Sequence, residues 1–140
     1  MTDDRIRQFR LTHQSIVDTI DRLQATLRNY NQAKPILREL FYKLSAYLGS
    51  QDSAFFTSLK ECSSDDRETV KMIDFLQFDL KEMKIRLLQF HDSHSGDLED
   101  SHARNFPGDF AEFAGHVVHR IKTEEEFLFP LLEKSHYSRS

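Results

Sequence analysis

One cysteine, Cys62, four glycines, three prolines and no tryptophan are found among 140 residues. A single thiol excludes a disulfide framework and a thiolate metal cluster, and its place in a polar stretch reads as an inert loop residue. So few glycines and prolines, with no run of alternating apolar and polar residues, leave little room for a sheet, and the fold class expected is all-α. No apolar run approaches the about 20 residues needed to cross a bilayer. The opening MTDDRIRQF lacks a basic segment followed by an apolar core, so a cytoplasmic chain with no membrane partner is expected. Basic charge is also lacking: a formal net charge of -4 with both signs scattered gives no electrostatic case for nucleic acid. No phosphate-binding glycine loop, nucleophile with its base, or pair of catalytic carboxylates can be defended, and no enzyme is expected.

What the chain does have is helical periodicity. Apolar residues at alternating steps of three and four predict a first helix from about Arg5 to Tyr30 with the seam Ile6, Phe9, His13, Ile16, Ile20, Leu23, Leu27 and Tyr30. After a short connection, Pro35 opens a second helix with the seam Leu37, Phe41, Leu44, Leu48, Gln51, Phe55 and Leu59, and Tyr47 beside it. Gly49, Ser50 and Ser53 make a soft stretch there. Ser64 or Asp65 caps the third helix, Asp65 with Glu68 resembling a capping box, and its seam is Ile73, Leu76, Leu80, Met83, Leu87, Phe90 and His94. The polar run SGDLEDSHARNFP, Ser95 to Pro107, is expected to be a loop, with Pro107 or Gly108 opening the fourth helix. That helix has the seam Phe110, Phe113, Val117, Arg120, Glu124, Phe127 and Leu131. Short connections make consecutive helices antiparallel neighbours, giving an up-down-up-down four-helix bundle over residues 1–135 and a disordered tail over 136–140.

The seams carry polar exceptions, and a buried Arg or Glu costs several kcal/mol unless paired or bound. Counted from one end of the bundle at about 1.5 Å per residue, His13, Tyr47, Gln51, Arg120 and Glu124 fall in one layer, to which the third helix contributes Leu80. The segment RIKTEEEFLFPLL from Arg120 resembles the hemerythrin (HHE cation-binding) family, whose last helix reads His, three residues, Glu, then Glu-x-x-Leu-Phe-Pro. Glu124, Glu125, Leu128, Phe129 and Pro130 match, and Arg120 stands at the position of the ligand His. In the second helix YLGSQDSAFFTSL is similar in an eroded form, with Tyr47 for a ligand His and Gln51 for a ligand Glu. HQSIVDTIDRL matches the first ligand helix through His13, and internal spacing puts Leu80 where the counterpart of His13 should be. The resemblance implies a non-haem di-iron centre that binds O2 or senses oxygen, nitric oxide or iron.

Leucine supplies no lone pair and a guanidinium is permanently cationic, so of the matched positions only His13 and Glu124 are sound iron ligands. Arg120 is therefore expected to occupy the cation's place and donate to Glu124 and to Gln51 or Tyr47. No cofactor is expected; the alternative is non-haem iron on a set drawn from His13, Tyr47, Gln51, Glu124 and His116 or His119. A third reading is a single metal or small ligand in the same pocket. Plainer readings remain beside these: His13 as a core histidine, Arg120 reaching past the seam to water, Glu125 and Glu126 as a solvated face, and His91 with His94, or His116 with His119, as surface pairs. His102 and His136 lie in polar segments and say little. Phe75, Phe78 and Ile85 form a second apolar strip on the third helix, opposite its seam. The strip is read as an interface with another protein or a second copy, in preference to a surface covered by Leu98 and Phe106 of the following loop. The function expected is a regulatory or protein-interaction module that has lost its di-iron centre, the alternative being an iron-binding member.

Overall fold

The computed structural model describes residues 4–94 and 100–139, and side-chain environments for 4–94 and 105–134. Apart from short connections the described residues are helical, with α1 (Asp4–Gln24), α2 (Tyr30–Ser50), α3 (Ser53–Cys62), α4 (Arg67–His94), α5 (Asp100–Thr123), a π-helical turn (Glu124–Leu128) and α6 (Phe129–Arg139). These elements make four rods: α1, α2 continued by α3, α4, and α5 continued through the π turn into α6. The first rod packs on the second and fourth, and α4 packs on α2, α3 and α5, which is the antiparallel bundle expected from the seams.

The third seam buries as spaced, and the first does so as far as Leu23; α1 ends at Gln24, short of the expected Tyr30, so Leu27 falls in the connection and Tyr30 opens α2, both only half-buried. In α4 the buried residues are Ile73, Leu76, Leu80, Met83, Leu87, Phe90 and His94, and α1 buries Ile6, Phe9, His13, Ile16, Ile20 and Leu23. Helix ends depart from expectation where a capping side chain outweighs a proline. The second helix begins at Tyr30, not Pro35, because Asn29 Oδ1 accepts from Gln32 N at 3.3 Å and Pro35 falls in the following turn. The cap of α4 is Asp66 rather than Ser64 or Asp65: its Oδ1 accepts from Glu68 N at 3.1 Å and Thr69 N at 3.3 Å, and its Oδ2 from the Thr69 hydroxyl at 2.8 Å.

The soft stretch at Gly49 to Ser53 is a break. Gln51 ends α2, and Asp52 starts α3 by accepting Phe55 N at 2.9 Å. Beyond the break Phe56, rather than Phe55, is fully buried. The fourth rod begins earlier than expected: α5 starts at Asp100 and contains Pro107. Phe106 is buried among the rings of Tyr30, Phe90, His94 and Phe110, which draws this turn into the core. It does not cover the strip on α4, and Leu98 lies outside the described residues. The helical backbone of α6 runs on to Arg139, through the segment expected to be a disordered tail.

The fourth seam holds as far as Glu124 and then slips. Leu128, Phe129 and Leu132 are buried, whereas Phe127 and Leu131 are only half-buried. The π turn is the cause, since its wider loop accommodates one extra residue and carries every later side chain one position round the axis. Phe129 N donates to Glu124 O, five residues back, and Pro130 next to it has no N–H and a ring that crowds the carbonyl four residues before.

Candidate functional site

Glu124 is the centre of the buried polar layer and is 0% exposed. Its Oε1 accepts the Tyr47 hydroxyl and faces His13 Nε2 at 2.8 Å. Its Oε2 accepts Gln51 Nε2 at 2.9 Å and Arg120 Nε at 2.7 Å. Each carboxylate oxygen thus has two partners, which fills all the acceptor positions an ionised Glu possesses. Arg120, 3% exposed, places four N–H bonds: besides Glu124 it donates through Nη1 to the Leu76 carbonyl at 2.8 Å and Asp79 Oδ2 at 3.0 Å, and through Nη2 to Gln51 Oε1 at 3.0 Å. Arg120, Glu124 and Gln51 therefore close a ring, and the Gln51 amide is fixed with its oxygen toward the guanidinium and its nitrogen toward the carboxylate.

Local structure explains each position. Arg120 and Glu124 are one turn apart on the fourth rod, so the pair forms without any chain reversal. Tyr47 is in the last turn of α2, and the helix break immediately after it leaves Gln51 turned inward. His13 lies against the Phe129 ring, centroids 5.3 Å apart and 11° from parallel, and edge-on to Tyr47 at 5.3 Å. Its Nε2 is also 2.6 Å from Tyr47 Oη. Because an ionised carboxylate only accepts, Nε2 carries the hydrogen in this arrangement, and Nδ1 is buried without a hydrogen-bond partner, 3.6 Å from Glu125 Oε1.

The electrostatics follow from that packing. Burial pushes the Glu124 carboxyl pKa up, but the His13 hydrogen bond, the Arg120 charge and the Tyr47 and Gln51 hydrogen bonds together outweigh it, and the net shift is downward. Burial, with the Glu124 charge and hydrogen bond, pushes the Tyr47 phenol far above its ordinary 10.0, so it is held protonated as a donor.

The di-iron centre implied by the sequence resemblance does not fit these residues. Two irons need a shell of imidazoles and carboxylates with free lone pairs. Here a guanidinium bonds the one carboxylate buried among the described residues, Gln51 is neutral, and the Leu80 side chain is apolar and buried. Among the described residues no three His, Cys, Asp or Glu side chains are placed to hold a metal ion.

His13, Tyr47, Gln51, Arg120 and Glu124, which helical spacing sets in one layer, are joined in one hydrogen-bond network. Residue spacing does not reveal Asp79 or the Leu76 carbonyl, through which α4 takes part: Asp79 lies off the seam among Asp74, Gln77, Lys81 and Glu82, and nothing singles it out. The other histidines lie elsewhere. His94 is buried at the far end of α4, 3.0 Å from Asp109 Oδ2, while His91 is exposed and packs on Phe41 at 4.9 Å, so the two do not act as a pair. His116 is 4.0 Å from Glu112, and His119 is exposed; neither hydrogen-bonds to the network among the described residues. His102 and His136 lie outside the described side chains. Phe75, Phe78 and Ile85 are exposed, and no helix among the described residues is long and apolar enough to cross a membrane.

No curated protein and no solved structure matches the chain. The family model of the hemerythrin HHE cation binding domain matches residues 4–132, nearly the whole length, in keeping with the helical bundle. The chain belongs to the hemerythrin HHE cation-binding family.

Proposed function

We propose that this chain is a hemerythrin-family bundle whose cation position is taken by its own Arg120, and that it serves as a regulatory or protein-interaction module rather than as a metal carrier or an enzyme. The observation that carries the reading is the Arg120 guanidinium, buried and bonded to Glu124, Gln51, Asp79 and the Leu76 carbonyl. A fixed positive charge at hydrogen-bond distance from the only buried carboxylate of the layer repels a second cation and occupies its ligand. The carboxylate, amide and phenol of the layer are then all engaged in hydrogen bonds within the chain. What the chain presents outward is the apolar strip of α4, the kind of surface on which partners dock.

Elemental analysis of protein purified without chelator tests this reading. Iron well below one equivalent is expected, and stoichiometric iron overturns it. Arg120→His removes the fixed charge and supplies an imidazole at the position where the family has its ligand. The variant is expected to take up ferrous iron in air, with new near-ultraviolet and visible absorption that the native chain lacks.

A second reading, an iron-binding member with a rearranged ligand set, is favoured by one feature. His13 Nε2, Tyr47 Oη and Glu124 Oε1 converge, with His13 Nε2 at 2.6 Å from the phenol and 2.8 Å from the carboxylate. A visible band in the native protein on adding ferrous iron and air, abolished by Tyr47→Phe, decides for this reading.

A further inference from the structure

We propose that the outer face of α4 is an isologous interface at which a second copy of this chain packs antiparallel, about a twofold axis passing between Lys81 and Glu82. This names the partner in the interaction reading above, but it rests on different residues from the Arg120 network.

Four large apolar side chains of α4 point away from the bundle: Phe75, 49% exposed, Phe78, 62%, Ile85, 43%, and Leu88, 62%. At 100° per residue they form one stripe, with Phe78 and Ile85 on its centre line and Phe75 and Leu88 extending it to either edge. The rod's inner face is fully used by the seam from Ile73 to His94, so the stripe is a second apolar surface on the same helix. Phe106, the one described residue of the sequence that was expected to cover it, is buried in the aromatic cluster instead.

The order of residues along the stripe selects the occupant. Phe78 and Ile85 are equidistant from the point between Lys81 and Glu82, as are Phe75 and Leu88, and farther out Lys71 and Asp92. A twofold axis through that point sets Phe78 against Ile85 of the second copy, and sets the Lys71 end of each stripe against the Asp92 end of the other. Lys71 and Asp92 are both exposed, so opposite charges meet at both ends of the contact. A parallel pair would instead set like charges against each other at each end. Around the axis, Lys81 and Glu82 from the two copies make a neutral cluster of four. Antiparallel packing also places each helix N-terminus beside the C-terminus of its neighbour, which favours the macrodipoles. A self-complementary patch with this symmetry is what a closed dimer requires.

Analytical ultracentrifugation of the native chain over a wide concentration range is expected to show a reversible species of twice the 16.5 kDa chain mass. Phe78→Asp with Ile85→Asp buries like charges on both sides of the axis. It is expected to raise the dissociation constant at least about a hundredfold while leaving the far-ultraviolet circular dichroism unchanged. The register is tested by oxidation in a Cys62→Ser background. Phe78→Cys with Ile85→Cys is expected to give a covalent dimer in high yield, whereas either cysteine alone is two helical turns from its symmetry mate and is expected to give none. A native chain that stays monomeric up to millimolar concentration overturns the proposal and leaves the face to a different protein. Equal cross-linking by the single and double variants overturns the register. Neither result touches the Arg120 reading, which stands or falls on iron content.

Discussion

At the scale of the residue, the chain keeps the charges of Arg120 and Glu124 inside a helical bundle, and that is sustainable only because every nitrogen of the guanidinium and both oxygens of the carboxylate are hydrogen-bonded. Arg120 and Glu124 are 2.7 Å apart, and both are closed off from water. Breaking a buried pair by removing one partner costs about 3–5 kcal/mol, because the survivor remains buried without its counter-charge. Arg120→Met keeps most of the side-chain volume and is expected to lower unfolding stability by that amount in urea titrations. Adding Glu124→Gln removes the stranded charge, so the double variant is expected to lose clearly less than the sum of the single losses. A loss below about 1 kcal/mol for Arg120→Met would mean that the guanidinium is not what holds Glu124. The members of this network that were legible in the sequence are those whose side chains interrupt an apolar seam: His13, Gln51, Arg120 and Glu124, with Tyr47 beside one. Asp79 lies off the seam, and the Leu76 contact is made by a backbone carbonyl, which every residue has; neither leaves a mark in residue spacing.

At the scale of the element, periodicity located the rods, while their ends and one change of phase depended on single side chains. Asn29 and Asp66 decided helix starts that the prolines and a capping-box pattern had suggested elsewhere. The slip from Phe127 and Leu131 to Leu128 and Leu132 was invisible to a count in threes and fours, because that count assumes an uninterrupted α-helix. Pro130 was the available clue. Since the π turn amounts to one inserted residue, deleting one exposed residue from it should restore a regular helix without disturbing the core. With Glu126 removed, the buried positions after Glu124 fall three, four and seven residues on, which is ordinary helical spacing. Deletion of Glu126 is therefore expected to leave a cooperatively folded bundle within about 2 kcal/mol of the native chain. Deletion of Val118, in the regular part of α5, turns Arg120, Glu124 and everything beyond by about 100° relative to the residues before it, and is expected to abolish the cooperative transition. Thermal melts followed by circular dichroism compare the two, and equal damage from both deletions would refute the account of the π turn.

At the scale of the whole molecule, the network joins all four rods: His13 from the first, Tyr47 and Gln51 from the second, Asp79 and the Leu76 carbonyl from α4, and Arg120 with Glu124 from the last. Titrating its groups is therefore coupled to unfolding of the bundle as a unit, and the sign at each end of the pH scale follows from the direction of each shift. The Glu124 pKa is lowered from 4.5 in the folded chain, so its carboxylate contributes stability above pH 4.5 that is lost as pH falls through the folded value. The Tyr47 pKa is raised from 10.0, so the phenol contributes stability below pH 10.0, and this is lost as pH rises beyond it and the unfolded chain alone ionises. A plot of urea unfolding stability against pH is expected to fall at both ends, and each limb can be assigned by substitution. Tyr47→Phe lowers stability on the neutral plateau, where a hydrogen bond is lost, yet should flatten the alkaline limb, because no phenol is left to ionise on unfolding. Glu124→Gln should flatten the acid limb for the corresponding reason. Curves for both variants that merely run parallel to the native curve would show that the buried layer is not where the bundle senses protons.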